Sequence, residues 1–560
     1  MLFERKITID SFNALVLLVS ISTVEMSSAF FIMMMLSFAD ILEFRTKSQA
    51  NRAIEELMKL NPKTALKEED GKIVEFPIDK IKENDILLVE NGGRVPVDGI
   101  VIFGNALINE SSVTGESMPV EKVINDHVLS STLNESGVIK IKATRASGNS
   151  TVAQIAKLIN DASKNKSRVE KLADKFAGYF MPFVIFIAVA VYYFTKDVSM
   201  TISIFLVACA DDLSVAIPLA MTASIGRAAR RGVVIKGGEW LDALSQMDTL
   251  VLDKTGTLTY GRLDIEADHV DLEVGEGKFW YFVAIGEKFS EHPIGKAIFK
   301  KAATKMNEVP DPEKYTVIEG AGVKAIYGKD EIIIGNENVL SEIKNDHVEK
   351  LRKFIDEERR EYRKTISIVI LNGKLLGIIT ITDIIKKEAR DSLDKLKKEG
   401  VKNIVMFTGD NEEVSKEVGL VLGITDIRSQ MTPESNMTHL EDLTKTHFVG
   451  MVGDGINDAP ALARAGIGIA MGKKGTSVAI EAADIVILSD NLERIPEMVN
   501  LSKRTMSVIR GDIVIWVISN IVGFTLVFTG VAGPLFAAFY NFITDFFPLL
   551  NSARLFRQKS

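Results

Sequence analysis

Six apolar runs in three pairs constrain this chain more than any other feature: about 11–24 with 26–43, 176–194 with 198–221, and 512–531 with 533–550. Two long polar stretches, about 44–172 and 228–505, separate the pairs. One globular core does not accommodate such an arrangement. Apolar runs near 20 residues are what a helix needs to cross a hydrocarbon layer, and each polar stretch is long enough to fold by itself. Several runs fall short of that length, so the first reads either as a span or as a surface-lying segment. It has no small-residue cleavage site behind it and is expected to be a retained span. An even number of spans puts both termini and both polar stretches on one side. Lys and Arg crowd those stretches, while the short opposite connections hold few, Lys196 being the clearest. The soluble parts and both termini are therefore expected in the cytoplasm of an integral membrane protein.

Composition agrees, since 46% hydrophobic and 25% charged residues leave room for a membrane part and a soluble part. A net charge of -8 argues against a nucleic-acid partner. The lone cysteine, Cys209, excludes an intrachain disulfide and a zinc cluster of several thiolates. In 44–172 a helical stalk precedes short β runs ("KIVEFPI", "DILLVE", "GVIKIKATRA") parted by turns such as "NGGRVPVDG". These predict a small β-rich domain. In 228–505, strands ("TLVLD", "NIVMF", "HFVGMVG", "DIVIL") alternate with helical patterns, as in a doubly wound parallel sheet carrying an inserted domain.

The chemistry gathers at three strand ends. "LVLDKTGTLT" ends an apolar strand at Asp253, where a carboxylate can attack a phosphoryl group if the charge repulsion is neutralised. Lys254 and the turn amides would supply part of that. "NIVMFTGDN" places Thr408, Gly409 and Asp410 at a second end, and "FVGMVGDGINDAP" places Asp454, Gly455, Asn457 and Asp458 at a third. Acidic oxygens around one phosphoryl position suit Mg²⁺.

"DKTGTLT", "TGD" and "GDGINDAP" together resemble the P-type ATPases, whose phosphorylation domain has the haloacid-dehalogenase fold. That resemblance makes Asp253 the phosphorylated nucleophile, with Asp253, Thr255 and Asp454 around Mg²⁺. It puts Thr408, Gly409 and Asn457 against the phosphoryl group. "TGES" at 114–117 resembles the actuator motif, in which Glu116 orients the hydrolytic water. The fold implied is an α-helical transmembrane bundle of about six spans, a β-rich actuator, and an α/β haloacid-dehalogenase-like phosphorylation domain with an inserted α+β nucleotide-binding domain. The divisions expected are a first transmembrane pair (1–43), the actuator with its stalks (44–172) and a second pair (173–227). Phosphorylation-domain parts (228–262 and 376–505) flank the nucleotide-binding domain (263–375), and a third pair (506–560) follows.

"EKFSEHPIG", with Glu287, His292 and Pro293, then "GAG" at 320–322 and "GN" at 335–336, resemble the nucleotide pocket of the heavy-metal-transporting branch. There His292 would set the adenine's position, and Gly320 and Gly322 would allow close backbone approach. "KGGEWLDAL" and the terminal "LLNSARLFR", with Asn551 and Arg554, resemble that branch too. Its fourth span usually carries Cys-Pro-Cys. Anchored on Pro218, the matching positions here are Cys209, Ala210 and Asp211, followed by Asp212. A carboxylate in mid-membrane costs about 3 kcal/mol on insertion scales, so it has a partner or a purpose. Either aspartate pairs with a basic residue, or the two bind cargo with Cys209. Asp545 joins them as a candidate ligand, and Asp512, Asn520 and Asn541 are polar at similar depth. Oxygen in place of the second sulfur disfavours Cu(I) and suits Mn²⁺, Mg²⁺ or Ca²⁺, with Zn²⁺ and Co²⁺ borderline.

Three departures from the branch stand out. It usually has two more spans and a soluble metal-binding domain at the N-terminus, and no CxxC is present here. The Cys-Pro-Cys is lost. In "MTPESNMTHL", Pro433 is followed by Asn436 where the family's phosphorylation domain has Lys, and Lys445 lies in the same segment. The resemblance implies an ATP-driven cation transporter cycling through an aspartyl-phosphate with ATP and Mg²⁺, for a divalent hard or borderline metal ion. A proton or monovalent cation is the other cargo reading. Asn436 keeps open an impaired cation sensor or regulatory pseudo-pump, and a membrane-tethered phosphatase is the third reading. The partners implied are the cation, membrane lipid and a soluble metal donor.

Overall fold

The computed structural model describes residues 62–560 apart from 116–117, 147, 149, 163–165, 209–210, 269, 271–274, 307, 343–364, 411, 454–457, 473–480 and 558–560, with only isolated residues before 62. The first apolar pair thus lies almost wholly outside the described residues. Two compact units divide the chain. One comprises Met1–Thr249, Lys395–Lys402 and Leu440–Ser560, the other Leu250–Asp394 and Asn403–His439.

In the first unit, residues 64–143 form a seven-stranded β-sheet, as the alternating runs predict. Its two longest strands, Gly99–Asn109 and Leu133–Ala143, pair antiparallel from Gly99↔Ala143 to Asn109↔Leu133. Inward residues such as Val101, Ile108, Ile139 and Ile141 are fully buried. A register shift beside Phe103 brings the backbones so close that a Cβ on Gly104 (φ +82°) would lie 2.1 Å from the Val138 carbonyl oxygen. Later in the same unit, Val449–Gly453, Ile467–Met471 and Ile485–Ile487 lie parallel, and Val233–Ile235 adds an antiparallel edge. Each of these strands is buried along its whole length, hence the continuous apolar runs.

The long helices belong to this unit. Helix α1 (Arg168–Thr195) opens on a capping box, Ser167 accepting from the Glu170 amide at 3.0 Å while the Glu170 carboxylate accepts from the Ser167 amide. Then come α2 (Val198–Val207), α3 (Asp211–Ala229), α4 (Arg494–Phe528), α5 (Pro534–Thr544) and α6 (Phe546–Arg557). Of the six spans expected, α1 and α4 are long and apolar enough to cross a membrane, and α2 and residues 215–229 are shorter apolar helices. Phe183, Phe186, Ile518 and Ile521 are all more than half exposed, on faces that suit lipid. The continuous runs expected at 198–221 and 533–550 are each divided: α2 ends at Val207 before α3 begins at Asp211, and α5 ends before Asp545. An aspartate marks each restart. Its short acceptor side chain competes with helix interiors and favours helix ends.

α3, α4 and α6 are joined by a buried polar node. Asp512 on α4 is fully buried and accepts from Asn551 Nδ2 (2.8 Å) on α6. The Ser552 hydroxyl lies 2.6 Å from the other Asp512 oxygen and 3.0 Å from the Ala216 carbonyl of α3.

The second unit holds a six-stranded antiparallel sheet in the order Thr259–Asp268, Lys374–Ile385, Thr365–Leu371, Asp330–Gly335, Gly322–Tyr327, Lys314–Ile318. Phe279, Trp280 and Val283 of the Gly275–Glu287 helix pack on it with Ile332 and Ile334. Beside it, Asn403–Phe407 pairs in parallel with Asp426–Arg428 and neighbours the strand that ends at Asp253.

Removing one donor from a buried carboxylate leaves it under-satisfied, so Ser552→Ala is expected to destabilise the helices by about 1–3 kcal/mol. The check is the melting temperature of the detergent-solubilised protein, where an unchanged value would mean the node contributes nothing.

Candidate active site

Asp253 closes its strand half-buried, and the chain then turns through Lys254–Leu258 with Gly256 at φ +77°. That positive φ is why a glycine stands there. Thr259 fixes the turn: its hydroxyl takes the Gly256 amide (3.2 Å) and lies 2.6 Å from Asp383 Oδ2. The buried Lys386 ammonium donates to the Gly256 carbonyl at 3.3 Å.

Lys254 is buried and its ammonium is bonded to Asp410, with Asp383 at 3.9 Å. Asp410 is held in turn, its amide donating to Thr408 Oγ1 (3.1 Å) and its carbonyl accepting from Gln430 (2.8 Å). Thr408 is buried and Gly409 is exposed beside it. Burial, above all, pushes the Asp383 carboxyl above the usual carboxylate range, and the Thr259 hydroxyl and Lys254 ammonium act against that. One Asp383 oxygen and the Thr257 hydroxyl are buried without a hydrogen-bond partner among the described residues. Thr255 is exposed. These hard oxygen donors fit Mg²⁺ by chemistry, although no group of three or more His, Cys, Asp or Glu forms a metal cluster among the described residues.

Asp383 and Lys386 escaped the sequence reading. The signal was an acid closing an alternating run, "IITITDIIKK", where it reads as a solvent-facing position. Glu116, Asp454, Gly455 and Asn457 lie outside the described residues, as does Cys209, and so do the side chains of Asp211 and Asp212. By backbone position Asp211 is the first residue of α3. Asp458 is buried next to Gly453, whose Cβ, if present, would lie 2.6 Å from its carboxylate. Asp545 accepts from Asn541 Nδ2 at 3.3 Å, and the buried Asn520 donates to the Trp516 carbonyl at 3.0 Å. Asn436, on the Pro433–Thr444 helix, has its side-chain oxygen buried and unpaired among the described residues.

In the inserted domain, Glu287 is buried with Oε2 unpaired, and its pKa is pushed up to about 7 by burial, against a Ser290 hydrogen bond. A Cβ on Gly295 would fill the space beside it, at 2.0 Å from Ser290 Oγ and 2.4 Å from Glu287 Oε2. His292 caps the Pro293–Ala303 helix, Nδ1 accepting from the Ile294 amide (3.3 Å), so Nε2 is the ring atom left for a ligand. Pro293 is the helix's first residue; its side chain lies outside the description. The two glycines differ. Gly320 has φ +70° and open space where a Cβ would stand, whereas Gly322 is required by the Ile334 carbonyl, 2.1 Å from its would-be Cβ. A near-neutral carboxyl, a free imidazole nitrogen and an open glycine fit an adenine nucleotide.

Comparison with known proteins bears on both sites. Residues 59–160 match the P-type ATPase actuator domain family, and residues 247–466 the haloacid dehalogenase-like hydrolases. The probable copper-exporting P-type ATPase of Archaeoglobus fulgidus is 37% identical over 494 residues, 86% of this chain and 60% of that protein. The copper-exporting P-type ATPase of Staphylococcus aureus strain JH9 is 35% identical over 533 residues, 92% of this chain and 65% of that protein. The chain thus spans less than two thirds of these relatives' length. The crystal structure of a zinc-transporting PIB-type ATPase in its E2.Pi state superposes with a TM-score of 0.65 at 28% identity, covering 98% of this chain and 90% of that one.

Folded Glu287 keeps its proton up to about pH 7, while its ordinary value is 4.5, so the folded domain loses stability as pH rises from 4.5 to about 7. Glu287→Gln is expected to remove that slope, worth about 3 kcal/mol at most. Hydrogen exchange across 275–303 as a function of pH tests it, and an unchanged slope would refute the assignment.

Proposed function

Because the chain belongs to the P-type ATPases of the heavy-metal-transporting branch, we propose that it couples ATP hydrolysis to the passage of a divalent metal cation across a membrane. It is an integral membrane protein, and the orientation with soluble parts and termini in the cytoplasm is part of this proposal. The observation that carries the reading is the Asp253 turn, where a half-buried carboxylate ends a strand beside Lys254, Asp410 and Asp383.

An Asp253 oxygen attacks the γ-phosphorus of ATP, the bond to ADP breaks, and an aspartyl-phosphate forms. Thr408 and Gly409 border the incoming group, and Asp410 keeps the Lys254 ammonium in place. By the family's motifs Asp253, Thr255 and Asp454 would hold Mg²⁺, which would supply charge neutralisation. The family's motifs assign Glu116 to direct the water whose oxygen attacks phosphorus and releases phosphate. They assign Asn457 and Asp458 to the phosphoryl region. Glu287, His292, Pro293, Gly320 and Gly322 hold the nucleotide. The division into actuator (44–172), phosphorylation parts (228–262, 376–505), nucleotide-binding domain (263–375) and three membrane pairs belongs to the same proposal.

Cargo is inferred from donor type. Cys209, Asp211, Asp212 and Asp545 offer one sulfur and several oxygens, a set for hard or borderline divalent ions. Relatives named for copper and a neighbour named for zinc support a metal cargo. Membrane lipid surrounds the spans, and a soluble metal donor would deliver the ion.

Asp253→Asn is expected to abolish both the acid-stable label from radioactive ATP and metal-dependent ATP turnover. Asn436→Lys, restoring an ammonium where the family has one, should accelerate labelling about a hundredfold, the effect of one preorganised electrostatic donor. Labelling that survives Asp253→Asn would end the proposal. For cargo, a turnover screen over Mn²⁺, Zn²⁺, Co²⁺, Ca²⁺ and Cu⁺ should single out one divalent ion. Asp211→Ala and Asp212→Ala should each cut that dependence about tenfold or more while sparing nucleotide binding; unaltered dependence in both would move the cargo site elsewhere.

A further inference from the structure

Away from both sites, the first unit holds a cavity of about 370 Å³ between α3 and the early turns of α4. The two helices meet there through a 2.6 Å contact of the Ser224 and Thr505 hydroxyls. Arg227 of α3, Arg231 just beyond it and Arg504 of α4 line the space together with Glu497. Glu497, Leu501 and Arg504 are spaced i, i+4, i+7 and so share a helix face.

The charges do not match. Lys395 pairs with Glu493 at 2.7 Å, and Glu399 accepts from Asn500 at 2.7 Å. A single oxygen of Glu497 serves both Arg231 (2.8 Å) and Arg494 (3.0 Å). Arg227 and Arg504 have no hydrogen bond or ion pair among the described residues. The charged neighbours of Arg227 are Arg231, Arg504 and that already shared Glu497. Guanidinium groups gathered around a hollow repel one another unless an anion lies between them, and their forked donors match phosphate oxygens two at a time. The volume takes a phosphate with its ester substituents as well as a bare ion.

We infer that Arg227 and Arg504 form a binding site for a phosphate-class anion. Two sources fit its place in the fold. Arg504 stands about 12 Å along α4 from Asp512, near the start of the helix's apolar part, within reach of the headgroup of an anionic phospholipid; the other source is free phosphate in solution. The lipid source rests on α3 and α4 entering a bilayer, while the site itself does not. The site also touches the TGES turn, because Arg494 donates to the Gly115 carbonyl at 3.2 Å and a Cβ on Gly115 would meet the Arg231 backbone at 2.9 Å. An anion that draws Arg231 from Glu497 alters the support of that turn.

The test is the melting temperature of the full chain, as wild type, Arg504→Gln and Arg227→Gln/Arg504→Gln. One arm compares sodium phosphate with sodium chloride at equal ionic strength. The other compares nanodiscs of phosphatidylcholine with and without phosphatidylglycerol. Arg504 is exposed, so its single replacement is expected to fold. Phosphate also reaches Asp253, so only the part of the shift lost in the variants counts. The expected result is a rise of roughly 3 °C in one arm, at least halved in Arg504→Gln and reduced further in the double variant; the arm that responds identifies the source. Equal shifts in all three proteins, or no shift in either arm, would overturn the inference.

Discussion

Two ammonium groups, those of Lys254 and Lys386, order the end of the Asp253 strand. Lys254 is bonded to Asp410 and near Asp383, and Lys386 donates to the Gly256 carbonyl. Burial favours a protonated Asp383. A phosphoryl group arriving there brings the further negative charge that a hard divalent cation would cancel. A neutral Asn436 in the neighbouring helix sharpens the need, because the position that brings an extra positive charge in the family brings none here. The three acids, the two lysines and the threonine anchor of the turn thus form one assembly, and altering any charged member changes the charge the others face.

The six-stranded antiparallel sheet and its helices handle a buried acid differently. Glu287 has no ion pair among the described residues, and desolvation pushes its pKa up to about 7. A neutral carboxyl can both donate and accept, which suits the edge of a purine better than a carboxylate would. Gly295 reserves the adjoining space. Pairing in one site and desolvation in the other are two answers to the same difficulty.

Much of this was legible in the sequence for a physical reason. A parallel strand buried on both faces must be apolar throughout, so a polar residue at its end marks the place where the chain leaves the core. Asp253, Thr408 and Asp410 stand out on that ground alone. Asp383 does not, because its strand belongs to an antiparallel sheet in which polar and apolar residues alternate and one more acid carries no signal. The node of Asp512, Asn551 and Ser552 was equally hidden in its contacts, since residues about 40 positions apart meet only after the helices pack. The break before Asp211 has no proline beside it to announce it, whereas Pro548, three residues after Asp545, was a signal for the second that the apolar run concealed. The open Gly320 and the sterically obliged Gly322 read alike as "GAG", although one leaves room for a ligand and the other for a neighbouring strand.

α4 runs 35 residues without interruption, about 52 Å at 1.5 Å per residue. Its only proline, Pro496, lies in the first turn, where it breaks no helical bond. Gly523, deep in the helix, is fixed by packing, with Val207 of α2 2.5 Å from its would-be Cβ. Such a helix is a stiff beam. Tilting it by about 10° would carry one end some 9 Å, by simple geometry on that length. The beam has no joint at which the arginine end could relax independently of the stretch holding Asp512 and Asn520, so leverage, and not local rearrangement, is the form in which force along it is felt.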